Sequence, residues 1–303
     1  MKLLTTLSTT LSAVLLVTSC SGGSPNEPDT PTPSPQPTEK LEIKISPTIV
    51  STRATDYGFE SGDCIGLYVV NYNGATPGTL KNSGNHVDNM SFVYSGTWTP
   101  GVPVYWKDNT THADFYLYYP YATVNSVDAY QFDVKADQSD VSAYKTSDLL
   151  VGNARNVAPT EAATNIPANH VMSRVMIYLE AGNGFTKESL AASKITVKVN
   201  GVKCGSTVNL ATGAVSATGD ATAVTPLLSD NAYKAIIVPQ TVAEGNLITV
   251  TADGRDFNLK KAFTFESGKS HKFTVTLSKT SNGVNVNINP WAVDGTDNGG
   301  TAE

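Results

Sequence analysis

HVMSRVMIYL, residues 170–179, is the stretch on which the fold turns. After His170 only Ser173 and Arg174 interrupt its apolar residues, which predicts a long strand opening the second half of the body. Residues 195–199, 232–238, 247–251 and 273–277 repeat the same short-strand rhythm. Gly and Asn or Asp punctuate them at 182–184, 200–201, 245–246 and 253–254, where turns are expected. Residues 208–219, rich in Ala, Thr and Gly, read as a hairpin or loop, and only 187–193 has helical character.

The first half has the same grain. Leu41, Ile43 and Ile45 alternate with Glu42, Lys44 and Ser46, the period of a strand with one buried face, and Pro47 stops it or marks an edge. Residues 64–71, 92–98, 102–106 and 130–135 are further strand candidates, and 113–121 is dense in aromatic rings before Pro120. Between 151 and 168 the residues are small and polar with Pro159 and Pro167, an irregular stretch suited to a boundary. Strands that are not separated by amphipathic helices of ten or more residues exclude a β/α architecture. The expectation is an all-β body of two mainly antiparallel β-sandwiches, residues 40–160 and 161–293, with a polar tail at 294–303.

The N-terminus decides the location. Lys2 precedes an apolar run to Val17, small residues Thr18 and Ser19 follow, and then comes Cys20. The run falls short of the roughly 20 residues of a membrane span but suits a signal peptide over residues 1–19. A cysteine at the cleavage point can carry acyl chains on its thiol and its free amine, each buried methylene contributing about 0.8 kcal/mol. Cys20 is therefore the expected lipid anchor, and the cleavage region resembles a bacterial lipoprotein signal. Residues 20–39, with six prolines among Ser, Thr, Asn, Gln and acidic residues, form an extended tether. The body then faces an aqueous compartment outside the inner membrane.

A net charge of -6 and the lack of a basic stripe argue against a nucleic-acid partner. With Cys20 assigned to lipid, Cys64 and Cys204 could pair across the fold or sit apart as small buried hydrophobes. His86, His112, His170 and His271 have no metal-ligand spacing, and no metal or other cofactor is expected. Ser173 lies three residues from His170, on the opposite face of a strand, so no nucleophile and base pair there. Asp108, Asp114, Asp133 and Glu180 are candidates for hydrolysis only in being acidic. Trp98, Tyr105 and Trp106, with Asp108 and Asn109, either form a stacking platform for a sugar or fill the first core. No enzyme is expected.

Several stations carry a resemblance. They are Gly62, Asp63, Ile65, Gly66 and Tyr68; Tyr105, Trp106 and Asp108; residues 115–120; His170, Ser173, Arg174 and Val175; Val238, Pro239 and Gln240; residues 263–277; and Ile288 with Trp291. In this order, behind a lipoprotein signal, the chain resembles the fimbrillin-like lipoproteins of Bacteroides and relatives. The resemblance implies two transthyretin-like sandwiches in an outer-membrane lipoprotein, acting at the cell surface or in a pilus as shaft, anchor or tip. It implies other pilus subunits as partners, a trypsin-like processing protease and a host or bacterial surface ligand. It also implies cleavage at an arginine after the first strand, for which Arg53 is the matching candidate. A neighbour's strand would fill the vacated groove, and Val284, Val286 and Ile288 are the candidate donor strand. The polar tail departs from a chain ending on its donor strand and favours a tip or accessory role. A surface glycan-binding lipoprotein and, behind it, a hydrolase are the alternatives.

Overall fold

The computed structural model describes residues 40–50 and 58–279, together with the backbone of residues 300–302. In chain order the first strands are β1 (Ile45–Ile49), β2 (Cys64–Asn71), β3 (Val87–Tyr94), β4 (Trp98–Pro100), β5 (Ala113–Tyr119) and β6 (Tyr130–Asp133). Helix α1 (Val141–Thr146), β7 (Leu150–Val157), β8 (Thr164–His170), β9 (Ser173–Ala181) and helix α2 (Lys187–Ala192) follow. Then come β10 (Ile195–Val208), β11 (Val215–Val224), β12 (Leu227–Ser229), β13 (Ala232–Ile237), β14 (Gln240–Val242) and β15 (Asn246–Ala252). The last are β16 (Arg255–Lys260), β17 (Phe263–Phe265), β18 (Ser270–Leu277) and β19 (Gly300–Ala302).

The first sheet has seven strands in the order β1-β8-β7-β5-β2-β3-β4, antiparallel except where β1 runs parallel to β8. A second sheet runs β11-β10-β15-β16, with β6 on the far half of β10. A third runs β12-β13-β9-β18-β19, and β14 pairs with β17. The fold is thus mainly antiparallel β, as expected.

The central strands of the first sheet are buried on both faces, which is why β2, and β5 beyond Asp114, read as nearly continuous apolar runs. Ile65, Leu67, Phe115 and Leu117 point into one core with Ile43, Phe92, Trp106 and Ile166. Tyr68, Tyr116 and Tyr118 point the other way, into a core shared with Val208, Leu210, Ile236 and Val238 of the second half. A third core, around Val199, Val250, Phe257 and Phe273, lies wholly in the second half.

The decisive decapeptide proves to be a crossing. His170 ends β8, opposite Leu150 of β7, and Ser173 begins β9, opposite Ile237 of β13. Val171 and Met172 between them are both buried in the shared core, so the apolar run marks passage from one sheet to another.

Two strand expectations need correction, and the state of the cysteines, left open, is decided. The stretch 151–168 is not irregular: it holds β7 and β8, and the first sheet continues ten residues past 160. Its small residues answer close strand contact, because a Cβ on Gly152 would lie 2.5 Å from the Pro167 carbonyl oxygen and 2.9 Å from Ala168 Cα. Residues 102–106 form no strand, only a bridge between Glu42 and Tyr105. Cys64 and Cys204 are free thiols, one on β2 of the first sheet and the other on β10 of the second.

Candidate assembly site at the edge of the first sheet

Among the described residues β1 is an edge strand with one neighbour. Ile45 to Ile49 pair with Thr164 to Ala168, and Pro47, which has no N–H to donate, sits in the middle as an edge permits. Just before the strand, Ile43 N–H donates to Val104 O at 2.9 Å and Trp106 N–H donates to Leu41 O at 2.8 Å. Thr164 N–H reaches Lys44 O and Val50 N–H reaches Ala168 O, both at 2.8 Å. The side chains of Ile43 and Ile45 enter the first core, while Glu42, Lys44 and Ser46 stay exposed.

The other edge strand of the same sheet, β4, faces β1 across a cleft of about 610 Å³. Glu42 to Pro47 line one side, and Tyr94, residues 96–100 and Phe59 line the other. The Trp98 ring meets Phe59 edge-on at 4.9 Å and Tyr94 at 5.1 Å. Phe59 is fixed by its own segment: Lys145 forms an ion pair with Glu60 at 2.7 Å, Glu60 N–H donates to Asp63 Oδ2 at 2.7 Å, and the Tyr119 hydroxyl donates to Asp63 Oδ1 at 2.9 Å. Burial, reinforced by the Asp63 bond, raises the Tyr119 pKa, so the hydroxyl stays a donor at every physiological pH.

The three candidate aromatic residues part company. Trp98 is half-buried and lines the cleft. Trp106 is a core ring, 5 % exposed and packed on Phe115 at 5.4 Å, and offers no face to a sugar. Tyr105 is exposed, its carbonyl bonded to His86 Nε2 at 2.7 Å. Asp108, beside them, caps its own turn by accepting from the backbone and hydroxyls of Thr110 and Thr111, which hold its carboxyl well below the usual range. Tyr94 falls in the alternating 92–98 stretch already read as a strand, whereas Phe59 stands in no periodic or spaced pattern and was not singled out.

His170 and Ser173 also serve separate ends: His170 Nδ1 lies 2.8 Å from Asp148 Oδ2, and Ser173 is fully buried on β9. Among the described residues no three His, Cys, Asp or Glu side chains converge as a metal-ligand set. Cys20, Arg53, Val284, Val286 and Ile288 lie outside the described residues.

Residues 52–291 match the fimbrillin-like family. The Bacteroides uniformis protein named "Putative fimbrium subunit Fim1C" is 27% identical over 303 residues, covering 93% of both chains. A solved structure of a "putative cell adhesion protein" from the same species superposes with a TM-score of 0.60 at 22% identity, over 80% of this chain and 95% of that one. A fimbrial protein from Bacteroides ovatus gives a TM-score of 0.52 at 20% identity, over 86% of this chain and 54% of that one. With the family match spanning most of its length, this chain belongs to the fimbrillin-like family.

Proposed function

We propose that the protein is a non-catalytic subunit of a surface fimbrium, as shaft, anchor or tip, exported as a lipoprotein on Cys20 and joined to its neighbours by strand exchange. The body is then two transthyretin-like sandwiches, divided at the crossing between His170 and Ser173 rather than at residue 160. The observation that carries this reading is the one-sided tie of β1 to β8, immediately upstream of Arg53.

Cleavage after Arg53 by a trypsin-like protease would free β1. Its loss would bare the β8 backbone edge and leave the sites of Ile43 and Ile45 open beside Ile166. An incoming strand would restore main-chain bonds and fill those sites together. The candidate donor is the segment of Val284, Val286 and Ile288 from another subunit. Mass measurement of surface-purified protein tests this: chains starting after Arg53 are expected, and an Arg53→Ala variant should retain its acylated N-terminus and leave assembled filaments. Wild-type chains that all retain acylated Cys20 within filaments would overturn the processing step.

A further inference from the structure

We propose that the free edge of β11 is a self-complementary pairing surface through which two copies of this chain join their second sheets about a two-fold axis. β11 ends the second sheet, and among the described residues its outer side carries no strand. It is long for an edge, and apart from one bulge it has few of the usual protections, because VSATGDATAV contains no Lys, Arg or Pro and only one charge, Asp220.

Small and β-branched residues flank the central Gly219–Asp220 doublet on both sides, with a valine at each end. Antiparallel pairing about an axis between Gly219 and Asp220 sets Val215 of one copy opposite Val224 of the other. It likewise sets Ser216 opposite Ala223, Ala217 opposite Thr222, and Thr218 opposite Ala221. All of these are small or β-branched, and the one carboxylate meets a glycine.

The bulge makes this pairing consistent. In an uninterrupted strand, residues 215 and 224, separated by an odd number, would point to opposite faces and could not be matched across a continuous sheet. The register jumps from Lys203 opposite Ala221 to Gly205 opposite Thr218, so Gly219 and Asp220 form an extra-residue bulge with Gly219 at φ +80°. Val208 and Ser206, both buried, oppose Val215 and Ala217, while buried Val202 and Val199 oppose Thr222 and Val224. By register, residues 215, 217, 222 and 224 therefore share the side of the buried β10 residues, although Thr222 itself is exposed, and 216, 218, 221 and 223 share the other side. A bulge normally spoils an edge for pairing, but here the doublet meets its own copy and register resumes on both sides. The result is an isologous interface that closes at two copies.

Sedimentation of the full chain in detergent tests the pairing, with two variants that share Ala221→Glu. Combined with Thr218→Glu it places like charges opposite each other twice; combined with Thr218→Lys it places opposite charges there. The expected results are a dimer for the unmodified chain, at least tenfold weaker association for the Glu pair, and recovery for the Lys and Glu pair at unchanged thermal stability. Amide exchange over residues 215–224 should also slow as protein concentration rises. A monomeric unmodified chain, a Glu pair that dimerises as tightly as wild type, or a Lys and Glu pair no tighter than the Glu pair would each overturn the proposal.

Discussion

The side-chain amide of Gln138 satisfies both backbone groups of Ile236, donating from Nε2 to the carbonyl at 2.8 Å and accepting the N–H on Oε1 at 2.8 Å. Ile236 is paired with Arg174 on its other side, so the fully buried glutamine stands in for a missing neighbour strand. Its Nε2 also donates to Lys135 O at 2.9 Å, tying the chain after β6 to β13. Replacing it by alanine orphans a buried donor and a buried acceptor, at about 1 to 3 kcal/mol each. A Gln138→Ala variant should therefore lose about 2 to 6 kcal/mol, read as a lower urea midpoint with an unchanged slope.

Gly152 predicts a different kind of loss. An added methyl would press on the backbone of β8, which cannot swing away as a flexible side chain could. Gly152→Ala should cost about 1 to 3 kcal/mol through overpacking. Gly245→Ala, where the nearest neighbouring atom would be 4.0 Å away, should change stability by no more than about 0.5 kcal/mol in the same denaturation assay.

Two histidines make stability depend on pH with opposite sign. His271 is 5 % exposed, accepts from Glu266 N–H at 3.2 Å, and is pushed down to about 4 by burial. Its folded pKa lies below the unfolded 6.5, so its contribution is full above about pH 6.5 and is lost as pH falls toward 4, about 3 kcal/mol in all. Burial lowers the pKa of His170, but the hydrogen bond and charge of Asp148 outweigh that and leave it raised. Its contribution is full below the unfolded value and disappears as pH rises through the folded one. His271→Phe should flatten the acid limb of a melting-temperature profile, and His170→Asn should flatten the neutral limb. A profile unchanged in either variant would remove that residue from the account.

The two tryptophans should separate stability from recognition. Trp106→Ala empties a core site and should cost about 3 to 5 kcal/mol, whereas Trp98→Ala removes a half-buried ring and should cost less than half as much. If the cleft between β1 and β4 takes a sugar or peptide, Trp98→Ala should lose that binding while its thermal transition stays sharp. Unaltered glycan-array binding by Trp98→Ala would eliminate the cleft as the ligand surface.

Much of this architecture could be read from the residues alone. The alternation at Leu41, Ile43 and Ile45 identified the buried face of this segment, but the strand itself runs Ile45–Ile49, through Pro47 instead of ending at it, as only an edge permits. The short helix after Thr186 was legible because its cap and first turn precede a run of good helix formers. β7 and β8 were hidden because Gly152 and Ala168 are small to let two backbones approach, and small polar residues look like loop. Helix α1, capped by Asp140 accepting from Ala143 N–H at 2.8 Å, was hidden because its exposed face is polar and only Tyr144 is buried. The cleft was illegible for another reason: Tyr94 and Trp98 meet across the β3–β4 hairpin, but Phe59 and the β1 side join them only through tertiary packing, which nothing local records.

The parallel pairing of β1 with β8 has a mechanical consequence. Tension entering at residue 40 pulls β1 along its own axis, while β8 is held from its far end through His170 into β9, itself parallel to β18. The evenly spaced bonds between the two strands are therefore loaded together in shear, not opened one at a time like a zipper. Single-molecule pulling from that end should meet a high first rupture force, which cutting the chain behind β1 would abolish.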